Sequence, residues 1–230
     1  MILAAGRGTR LGALGRSTPK VLVDVGGRPL LQRHLEYLER EGFSRVVLNA
    51  HHLAAQITAF VASYAGPLEI CCVLEARALG TAGGVRNALP LLEPGPFLVL
   101  YGDVLVEEPL APLFELHQEN GAVATLVVHW DGSAKGKGVV RADVNGRVTG
   151  FEEKSQSSGR ALVNSGVYVV EPELVSSVPA GTPTDFGHHV FPSALDRGLP
   201  IFSYPISDPV IDIGTPRGLA LAHAAVGVAP

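Results

Sequence analysis

Short apolar runs alternate with longer amphipathic segments through the first half of the chain. The apolar runs predict buried strands at residues 1–5, 45–50, 68–74 and 97–101. Apolar residues at helical spacing predict helices at residues 30–38, 52–64 and 83–89, with Gly42 and Pro90 as stop signals for the first and last. Strands that alternate with helices indicate βαβ units, and hence an α/β fold with a doubly wound, mainly parallel sheet.

The second half of the chain changes to strands with few helices between them. Apolar stretches predict strands at residues 123–129, 138–142, 148–151 and 162–170, and the Asn145-Gly146 pair indicates a hairpin turn. Helices return at residues 186–196 and 216–226, around a strand at 210–213. We expect this half to form a small β-rich lobe, which makes the sheet mixed.

The organisation of the chain predicts a single domain over residues 1–230, with halves of about 1–120 and 121–230, because no repeat or long linker interrupts it. Hexapeptide repeats are absent, so no C-terminal module of the left-handed β-helix type is expected. Only residues 1–5 precede the first glycine-rich loop. That length fits a natural chain that begins upstream, and it equally fits a strand that is simply short.

Composition excludes several classes of protein. Hydrophobic residues make up 47% and charged residues 17% of the 230 positions, which excludes general disorder. The formal net charge of −4 argues against nucleic-acid and membrane-surface partners, which require a basic footprint. No apolar run approaches the roughly 20 residues that span a bilayer, and the first residues lack the apolar core of a signal peptide. We therefore expect a cytoplasmic protein.

Cysteines and two of the few lysines offer little chemistry. Cys71 and Cys72 are adjacent in a predicted strand and point to opposite faces, so we interpret them as small apolar residues without a disulfide between them. Lys135 and Lys137 lie in a Gly-rich loop and match no catalytic motif. A solvated loop is favoured there over a substrate lid.

Two adjacent histidine pairs, His51-His52 and His188-His189, invite a metal-site interpretation. Neighbouring residues do not share a helix face, so neither pair is expected to bind a metal by itself. Local structural roles are predicted for both pairs. The roles of His188 and His189 beside a ligand pocket, together with Asp185, stay open.

A glycine-rich segment after the first strand is the strongest local signal of chemistry. Gly6 and Gly8 would let the backbone approach a phosphate chain, with N–H groups that cradle it. Arg10 supplies a planar fork for phosphate oxygens, and Lys20 supplies a point charge. Leu11 replaces the third glycine of a dinucleotide fingerprint, and the Walker A sequence is absent. A phosphate-binding loop of another kind is indicated.

Two aspartates are associated with predicted strands. Asp103 follows the strand at 97–101, where ligands of open α/β sheets bind. Asp212 stands between two isoleucines, and a buried carboxylate there is costly unless it is paired or bound to a metal. Because Mg²⁺ prefers one or two carboxylates with phosphate oxygens and water, the pair indicates a Mg²⁺ site. The alternative is one turn aspartate and one helix-capping aspartate.

Six short blocks occur in a fixed order along nearly the whole chain. They cover residues 3–11 with Pro19-Lys20, 80–84, 100–103, 151–154, 164–168 and 211–216. The ordered set resembles the sugar-1-phosphate nucleotidylyltransferases, and within them the short bacterial heptose- and mannose-1-phosphate guanylyltransferases. The resemblance implies that a sugar 1-phosphate attacks the α-phosphorus of a nucleoside triphosphate in line. An NDP-sugar and pyrophosphate result, without a covalent enzyme intermediate.

The resemblance also implies roles for individual residues. Catalytic roles are implied for Arg10, Lys20, Asp103 and Asp212, the two aspartates holding Mg²⁺. Nucleotide contacts are implied for Leu3, Ala5, Gly6, Gly8, Thr9, Arg10, Lys20, Glu75, Gly80 and Thr81. Sugar-phosphate contacts are implied for Tyr101, Gly102, Glu153, Lys154, Asn164 and Gly166. Without the resemblance, Glu153-Lys154 is a solvated charge pair and Asn164 a local turn former.

Glu75 bears on the choice of base. An ionised carboxylate only accepts hydrogen bonds, which matches the N1–H and N2–H₂ donors of guanine and favours GTP. Uracil and thymine present one N–H between two carbonyls, so UTP and dTTP are the alternatives. Ala78 stands where the family usually has proline before Leu79-Gly80-Thr81, which leaves the geometry of the base loop open.

Three other functions are weaker alternatives. A CTP-dependent cytidylyltransferase for a phosphorylated alcohol has a similar glycine-rich block, but Glu153-Lys154 favours a sugar. A non-catalytic nucleotide-sugar sensor is expected to lose one of the catalytic residues, and all are present. A nicotinamide-dependent oxidoreductase would need the missing third glycine and an acidic residue about 20 positions further on. The sequence leaves open which sugar is used and whether the chain forms a homo-oligomer.

Overall fold

The computed structural model describes residues 1–207 and 210–227, which fold into two compact units. Among these residues, the first unit comprises residues 1–78, 100–107 and 210–227, and the second comprises residues 79–99 and 108–207. Each unit is therefore built from separate stretches of the chain. The assignment of residues 1–230 to a single domain stays a prediction.

The strands and helices follow one another in the order that the sequence pattern predicts for an α/β protein. The strands are β1 (Ile2–Leu3), β2 (Asp24–Val25), β3 (Arg28–Pro29), β4 (Arg45–Ala50), β5 (Glu69–Leu74), β6 (Phe97–Tyr101), β7 (Val104–Leu105), β8 (Ala124–Asp131), β9 (Val139–Ala142), β10 (Val148–Glu152), β11 (Ala161–Val170), β12 (Ile201–Ile206) and β13 (Ile211–Asp212). The α-helices are α1 (Ala13–Ser17), α2 (Leu30–Arg40), α3 (Ala54–Ser63), α4 (Gly80–Ala88), α5 (Ala111–Glu119), α6 (Pro172–Ser176), α7 (Phe191–Asp196) and α8 (Pro216–Ala225). Single 3₁₀ turns occur at Thr9–Leu11, Lys20–Leu22 and Leu89–Leu91, and a π-helical turn at Phe186–Val190.

The first unit contains a parallel arrangement of strands. β1 has only two residues, yet it is paired on both sides, with Ile2 opposite Leu48 of β4 and Leu100 of β6. β5 pairs with β4 in parallel along all six residues. β1 and β4 are largely buried, as expected for parallel strands covered on both faces. The first strand is therefore both short and central.

The second unit contains a mixed sheet. β8 pairs antiparallel with β11 and parallel with β12, and β9 pairs antiparallel with β10 and β11. The predicted Asn-Gly turn joins β9 to β10, where Asp143 Oδ1 accepts hydrogen bonds from the backbone N–H groups of Asn145 and Arg147. A mixed, mainly parallel α/β fold is thereby confirmed.

Apolar clusters fix the positions of the loops that carry candidate chemistry. In the first unit, buried side chains from β2, α2, β7, α8 and the segments next to β2 and β13 pack together with one from the first 3₁₀ turn: Leu11, Val23, Val25, Leu30, Leu105, Ile213 and Ala222. In the second unit, four aromatic rings from β10, β11 and the segment before α7 are in contact: Phe151, Tyr168, Phe186 and Phe191. Each cluster anchors a loop beside candidate site residues of its own unit.

The helix predicted at residues 186–196 is interrupted. Its first five residues form a π-helical turn, and α7 starts at Phe191 with Pro192 in its first turn. Proline lacks the N–H that a continuous helix would use, and its ring clashes with the carbonyl four residues earlier, which accounts for the break. No described helix has the length and apolarity needed to span a membrane.

Candidate active site

The glycine-rich loop after β1 closes tightly onto α1. Gly8 has a left-handed φ of 64°, and a Cβ placed on Gly15 would lie 2.1 Å from the Gly8 carbonyl oxygen. Only glycine fits at Gly15 without moving the loop, and Gly8 also favours glycine because of its φ. Gly6, in contrast, has no neighbouring atom within 4 Å of a Cβ placed on it. The backbone at Gly6 is therefore open to a ligand, as the predicted phosphate cradle requires.

Strands β7 and β13 bring the two predicted metal-binding aspartates together. The two strands pair antiparallel, with Asp212 opposite Val104, and the N–H of Ile213 donates to the carbonyl of Asp103 at 2.9 Å. Residues 103 and 212 are thus neighbours across a short ladder although they are far apart in sequence.

Three charged side chains meet at Gly214, and one of them, Lys20, is bonded to a fourth, Asp103. Lys20 Nζ donates to Asp103 Oδ2 at 2.6 Å, and Arg10 Nη2 donates to Asp212 Oδ2 at 3.1 Å. A Cβ placed on Gly214 would lie 2.7 Å from Arg10 Nη2 and from Asp212 Oδ1, and 3.2 Å from Lys20 Nζ. The sequence-predicted catalytic residues therefore form one cluster, and a side chain at Gly214 would occupy its centre.

The burial expected for Asp212 is wrong. Its side chain is 48% exposed and that of its partner Arg10 is 55% exposed, because β13 is only two residues long. The following residue, Ile213, takes the buried position. Asp212 is stabilised instead by Arg10 and by the N–H of Gly214, which donates to Asp212 Oδ1 at 2.6 Å.

The carboxylates of the cluster limit which metal ion it can hold. Within the described ranges, no group of three or more His, Cys, Asp or Glu side chains is placed to hold a metal ion. Asp103 and Asp212 therefore offer at most two protein carboxylates. This set fits Mg²⁺, which keeps several waters and completes its shell with substrate phosphates, and it does not fit a structural zinc site.

Glu75 reaches the glycine-rich loop through a residue that the sequence did not predict. Asn49 is buried in β4, donates from Nδ2 to Glu75 Oε1 at 2.6 Å and accepts the N–H of Ala4 at 2.8 Å. Glu75 itself is only 6% exposed. A polar residue directly after the apolar run Val46-Val47-Leu48 was the signal available for Asn49.

The remaining candidates of the first unit lie at the carboxyl ends of β1 and β6. Tyr101 is opposite Leu3 in the parallel pair, and the N–H of Gly102 donates to the Leu3 carbonyl at 2.9 Å. A Cβ placed on Gly102 would lie 2.6 Å from that oxygen. Ala5 and Thr9 follow β1 within the loop and its 3₁₀ turn. The structure therefore gathers these residues around one end of the first unit's sheet.

Gly80 and Thr81 begin α4 in the second unit. Gly80 has a φ of 73°, which favours glycine. The Thr81 N–H and hydroxyl both donate to Asp185 Oδ1, at 3.1 and 3.3 Å, and the same hydroxyl accepts the N–H of Phe186 at 2.9 Å. Asp185 thus holds the start of α4, a role that sequence reasoning did not assign.

Glu153 and Asn164 lie on either side of Gly138. A Cβ placed on Gly138 would be 3.0 Å from Glu153 Oε2 and 3.3 Å from Asn164 Cβ. Asn164 donates to the Tyr168 hydroxyl at 2.6 Å and accepts the Gly166 N–H at 3.2 Å, which shapes the bulge in β11. Three sugar-phosphate candidates, Glu153, Asn164 and Gly166, are therefore grouped.

The Glu153 carboxyl has a perturbed environment. Burial raises the pKa of Glu153, and the charges of His188 and Lys154 oppose that rise. Lys154 adopts a left-handed φ of 52° without being glycine, a strained conformation that clusters at ligand sites. Its side chain is exposed, so its charge faces solvent beside Glu153.

The predicted structural histidines are confirmed where the contacts show them. His51 Nδ1 lies 2.9 Å from the Glu75 carbonyl oxygen, His52 Nε2 lies 3.1 Å from the Gly15 carbonyl oxygen, and His189 Nδ1 accepts the Asp185 N–H at 3.0 Å.

The cysteines and loop lysines add no catalytic group. Cys71 and Cys72 are free thiols in β5, as predicted. Lys137 forms an ion pair with Asp131, and Lys135 is exposed. A structural position is thus assigned to both lysines, while the choice between a solvated loop and a substrate lid stays a prediction.

Two relatives of known name are both sugar-1-phosphate nucleotidylyltransferases. The chain is 32% identical to a UTP–glucose-1-phosphate uridylyltransferase of Synechocystis sp., covering 93% of this chain and 59% of the relative. It is 32% identical to a mannose-1-phosphate guanylyltransferase of Mycobacterium tuberculosis, covering 100% and 65%. The chain thus spans less than two thirds of these relatives.

A solved structure matches along almost the full length of both chains. HddC from Yersinia pseudotuberculosis, crystallised with GMP-PN, superposes with a TM-score of 0.84 at 26% identity and covers 98% of this chain and 97% of its own. The sequence profile of the Nucleotidyl transferase family matches residues 1–227. With a profile match of that extent, and with the ordered glycine loop, aspartate pair and Glu-Lys block in place, the chain belongs to the Nucleotidyl transferase family.

Proposed function

We propose that this protein transfers a nucleotidyl group from a nucleoside triphosphate to a sugar 1-phosphate and releases pyrophosphate. The observation that carries the proposal is the convergence of Arg10, Lys20 and Asp212 at Gly214, with Asp103 bonded to Lys20, beside an open glycine loop. Both reactants are anionic, so a site that holds them together must supply positive charge. The names of the two relatives, a uridylyltransferase and a guanylyltransferase, support the same reaction class.

The ion pairs of the cluster suit an exchange with phosphate. Arg10 and Asp212 form an exposed pair, and exposed pairs contribute only about 0–1 kcal/mol. Arg10 therefore turns from Asp212 to the β- and γ-phosphates at little cost. Lys20 and Asp103 are less exposed, at 16% and 21%, so Lys20 keeps a defined position near the α-phosphorus.

The reaction is a single displacement. An oxygen of the sugar phosphate forms a bond to the α-phosphorus while the bond from the α-phosphorus to the bridging oxygen of the β-phosphate breaks. Lys20 stabilises the charge that develops on the α-phosphoryl oxygens, and Arg10 orients the leaving pyrophosphate. No side chain needs to bond to phosphorus.

A divalent metal completes the charge balance. Members of the family generally use a divalent ion, and we infer Mg²⁺ here because the donor set is two carboxylates. Asp103 and Asp212 would hold it. When bound, Mg²⁺ neutralises phosphate charge, while Lys20 and Arg10 perform the contacts described above.

GTP is the proposed nucleotide. Asn49 donates to one oxygen of Glu75, which holds this carboxylate in a fixed orientation near the loop that begins at Ala4. An ionised carboxylate accepts the paired donors of guanine and has no donor for the carbonyls of uracil or thymine. UTP and dTTP are the competing nucleotides.

The second unit is proposed to bind the sugar phosphate. Glu153 supplies acceptors for sugar hydroxyl groups, Lys154 supplies a charge for the phosphate, and the bulge at Asn164–Gly166 allows the sugar to approach the backbone. The Asn164 side chain already bonds to Tyr168 and Gly166, so its contribution is to hold the bulge open as well as to contact sugar.

The decisive experiment measures pyrophosphate release with Mg²⁺. GTP, UTP, dTTP, CTP and ATP are each tested against a panel of sugar 1-phosphates and against phosphocholine, with Lys20→Ala as the negative control. We expect release with GTP and a sugar 1-phosphate, and loss of release with EDTA. Release with UTP or dTTP would overturn the base assignment, release only with CTP and phosphocholine would overturn the sugar, and silence with every pair would overturn the reaction class.

A further inference from the structure

One segment of the second unit contacts both groups of candidate residues in that unit. Residues 182–190 lie between α6 and α7 and include the π-helical turn. Its first part lies against the start of α4, and its second part lies against Glu153. π-helical turns are rare and are often found at functional sites.

Asp185 and its neighbour Thr184 clamp the start of α4. The Gly83 N–H donates to the Thr184 carbonyl at 2.9 Å, and the Thr184 N–H donates to the Leu79 carbonyl at 2.8 Å. A Cβ placed on Gly80 would lie 2.6 Å from the Thr184 carbonyl oxygen. Together with the bonds from Thr81 to Asp185, these contacts fix the Gly80–Thr81 turn from outside α4.

Gly187 makes room for the Glu153 carboxylate. A Cβ placed on Gly187 would lie 2.3 Å from Glu153 Oε2, closer than real Cβ atoms approach, and 3.0 Å from Glu153 Cδ and from Phe151 Cε1. Gly187 is buried, and its neighbours Phe186 and Phe191 are packed in the aromatic cluster, so the backbone has little freedom to retreat. Glu153 therefore occupies its position only because residue 187 lacks a side chain.

We propose that the 182–190 segment positions both substrates, with Asp185 acting on the nucleotide through Thr81 and Gly187 acting on the sugar phosphate through Glu153. Both are positioning residues. The inference rests on the proposed function, which assigns the nucleotide to Thr81 and the sugar phosphate to Glu153. The contacts themselves lie within one unit.

The experiment compares Michaelis constants of variants for each substrate separately. Gly187→Ala is expected to raise KM for the sugar phosphate about tenfold or more, since a displaced carboxylate loses hydrogen bonds of a charged acceptor. KM for the triphosphate should change less than about twofold. Gly132→Ala is the matched control, because a Cβ there meets nothing within 4 Å.

A double-mutant cycle separates this effect from general damage to the fold. In a Glu153→Ala background the added methyl group no longer meets a carboxylate, so Gly187→Ala should add little further change in KM. Additive losses, or a sugar-phosphate KM that Gly187→Ala leaves unchanged, would overturn the role of Gly187.

Two substitutions of Asp185, by alanine and by asparagine, test its role in positioning the nucleotide. Asp185→Ala removes the acceptor of the Thr81 N–H and should raise KM for the triphosphate, whereas Asp185→Asn keeps an oxygen at that place and should restore most of the affinity. Equal losses in both variants, or a loss confined to the sugar phosphate, would contradict the assignment.

A crystal structure of the Gly187→Ala variant distinguishes the two levels of the proposal. If Glu153 is displaced in the Gly187→Ala structure but the wild-type protein proves inactive, the positioning role stands and the proposed function fails. An unmoved Glu153 would overturn the inference even if the wild-type enzyme makes an NDP-sugar.

Discussion

Two ion pairs of similar chemistry differ in exposure, and the difference assigns them different tasks. Lys20 and Asp103 are mostly covered, at 16% and 21% exposed, whereas Arg10 and Asp212 are about half exposed. A covered pair fixes the position of its members, while an exposed pair exchanges readily with a phosphate or with water. Under the proposed function, Lys20 is accordingly the fixed cation of the cluster, and Arg10 is the cation that we expect to move to substrate.

Both aspartates should be required for turnover, and Asp212 should contribute little to folding. We expect Asp103→Asn and Asp212→Asn each to lower kcat by at least about a hundredfold, because each loses the charge that holds a cation beside the reacting phosphates. The melting temperature of Asp212→Asn should stay within a few degrees of the wild-type value, because an exposed pair contributes about 0–1 kcal/mol. Steady-state kinetics and thermal denaturation of the same preparations test both statements.

Glu36→Gln is the matched control for these variants. It removes one charge from the Arg28–Glu36 ion pair, which has a comparable exposure and belongs to no candidate site. Wild-type kinetics are expected for it. Near-normal kcat in both aspartate variants would contradict the metal assignment, and a loss in the control would show that surface charge alone affects the assay.

For individual residues, the sequence indicated which side chains carry candidate chemistry, but it did not show which side chains they contact. Arg10, Lys20 and the two aspartates were predicted, and the structure places them together. Asn49 was not predicted, because its importance depends on contacts with Ala4 and Glu75 that are distant in sequence. The burial expected for Asp212 was wrong for a related reason. Apolar neighbours along the chain do not determine which side of a two-residue strand is buried.

The glycine loop shows how one element divides two requirements among its glycines. Gly15 is needed for packing, since a Cβ there would lie 2.1 Å from the Gly8 carbonyl oxygen. Gly6 is not needed for packing, since a Cβ there meets no protein atom within 4 Å. Under the proposed function, glycine at this position serves the approach of the ligand instead.

Alanine substitutions should separate the two requirements. Gly15→Ala is expected to lower the free energy of unfolding by about 1–3 kcal/mol, because the loop must shift to relieve the overlap. Gly6→Ala should leave the free energy of unfolding within about 0.5 kcal/mol of wild type and weaken triphosphate binding, because its methyl group enters the ligand's space. Urea denaturation gives the first quantity and calorimetric titration with GTP and Mg²⁺ the second.

Each variant serves as the control for the other. A stable Gly15→Ala variant would show that the loop relaxes without cost. Unchanged GTP affinity in Gly6→Ala would show that the nucleotide does not approach the loop at that residue, and the phosphate-cradle assignment would then be wrong.

Regular elements were predictable where local pattern and tertiary context agree. β4 and β6 have the predicted bounds, because each is an apolar run between turn signals. β12 was missed: it contains Pro205, which usually argues against a strand, yet it pairs in parallel with β8 along its length. The helix predicted at residues 186–196 was wrong in its continuity, although Pro192 was a local signal for the break.

Across the whole molecule, the order of elements predicted the α/β class, and each unit is assembled from separate stretches of the chain. The first unit takes residues 100–107 and 210–227 from later parts of the chain, so its charged cluster joins residues from both ends of the sequence. The predicted boundary between halves near residue 120 was based on the change from alternating strands and helices to mostly strands along the sequence. Long-range pairing of β7 with β13, which no local pattern encodes, places Asp212 beside Asp103.

Buried histidines link the stability of the molecule to pH. His34 is 1% exposed in α2, and its Nε2 lies 2.7 Å from the Val104 carbonyl oxygen, one residue from Asp103. Burial lowers the pKa of His34 from 6.5 to about 4, although the bond to Val104 and the charge of Asp103 oppose the change. Burial also lowers the pKa of His117 and of His129. The folded protein thus keeps neutral histidines at pH values where the unfolded chain protonates them.

The free energy of unfolding should therefore fall as the pH falls from 6.5 to about 4. Above pH 6.5 His34 is neutral in both states and its contribution is complete; below that value the unfolded chain binds a proton that the folded protein does not. A pKa lowered from 6.5 to about 4 corresponds to about 3 kcal/mol at 1.36 kcal/mol per pH unit. Urea denaturation at pH 7 and pH 4 should show that His34→Gln, which does not titrate, loses about 3 kcal/mol less than the wild type between the two values. An equal loss in both proteins would contradict the assignment, and NMR titration of the His34 ring in the wild-type protein, expected to stay neutral down to about pH 4, decides it even if the variant fails to fold.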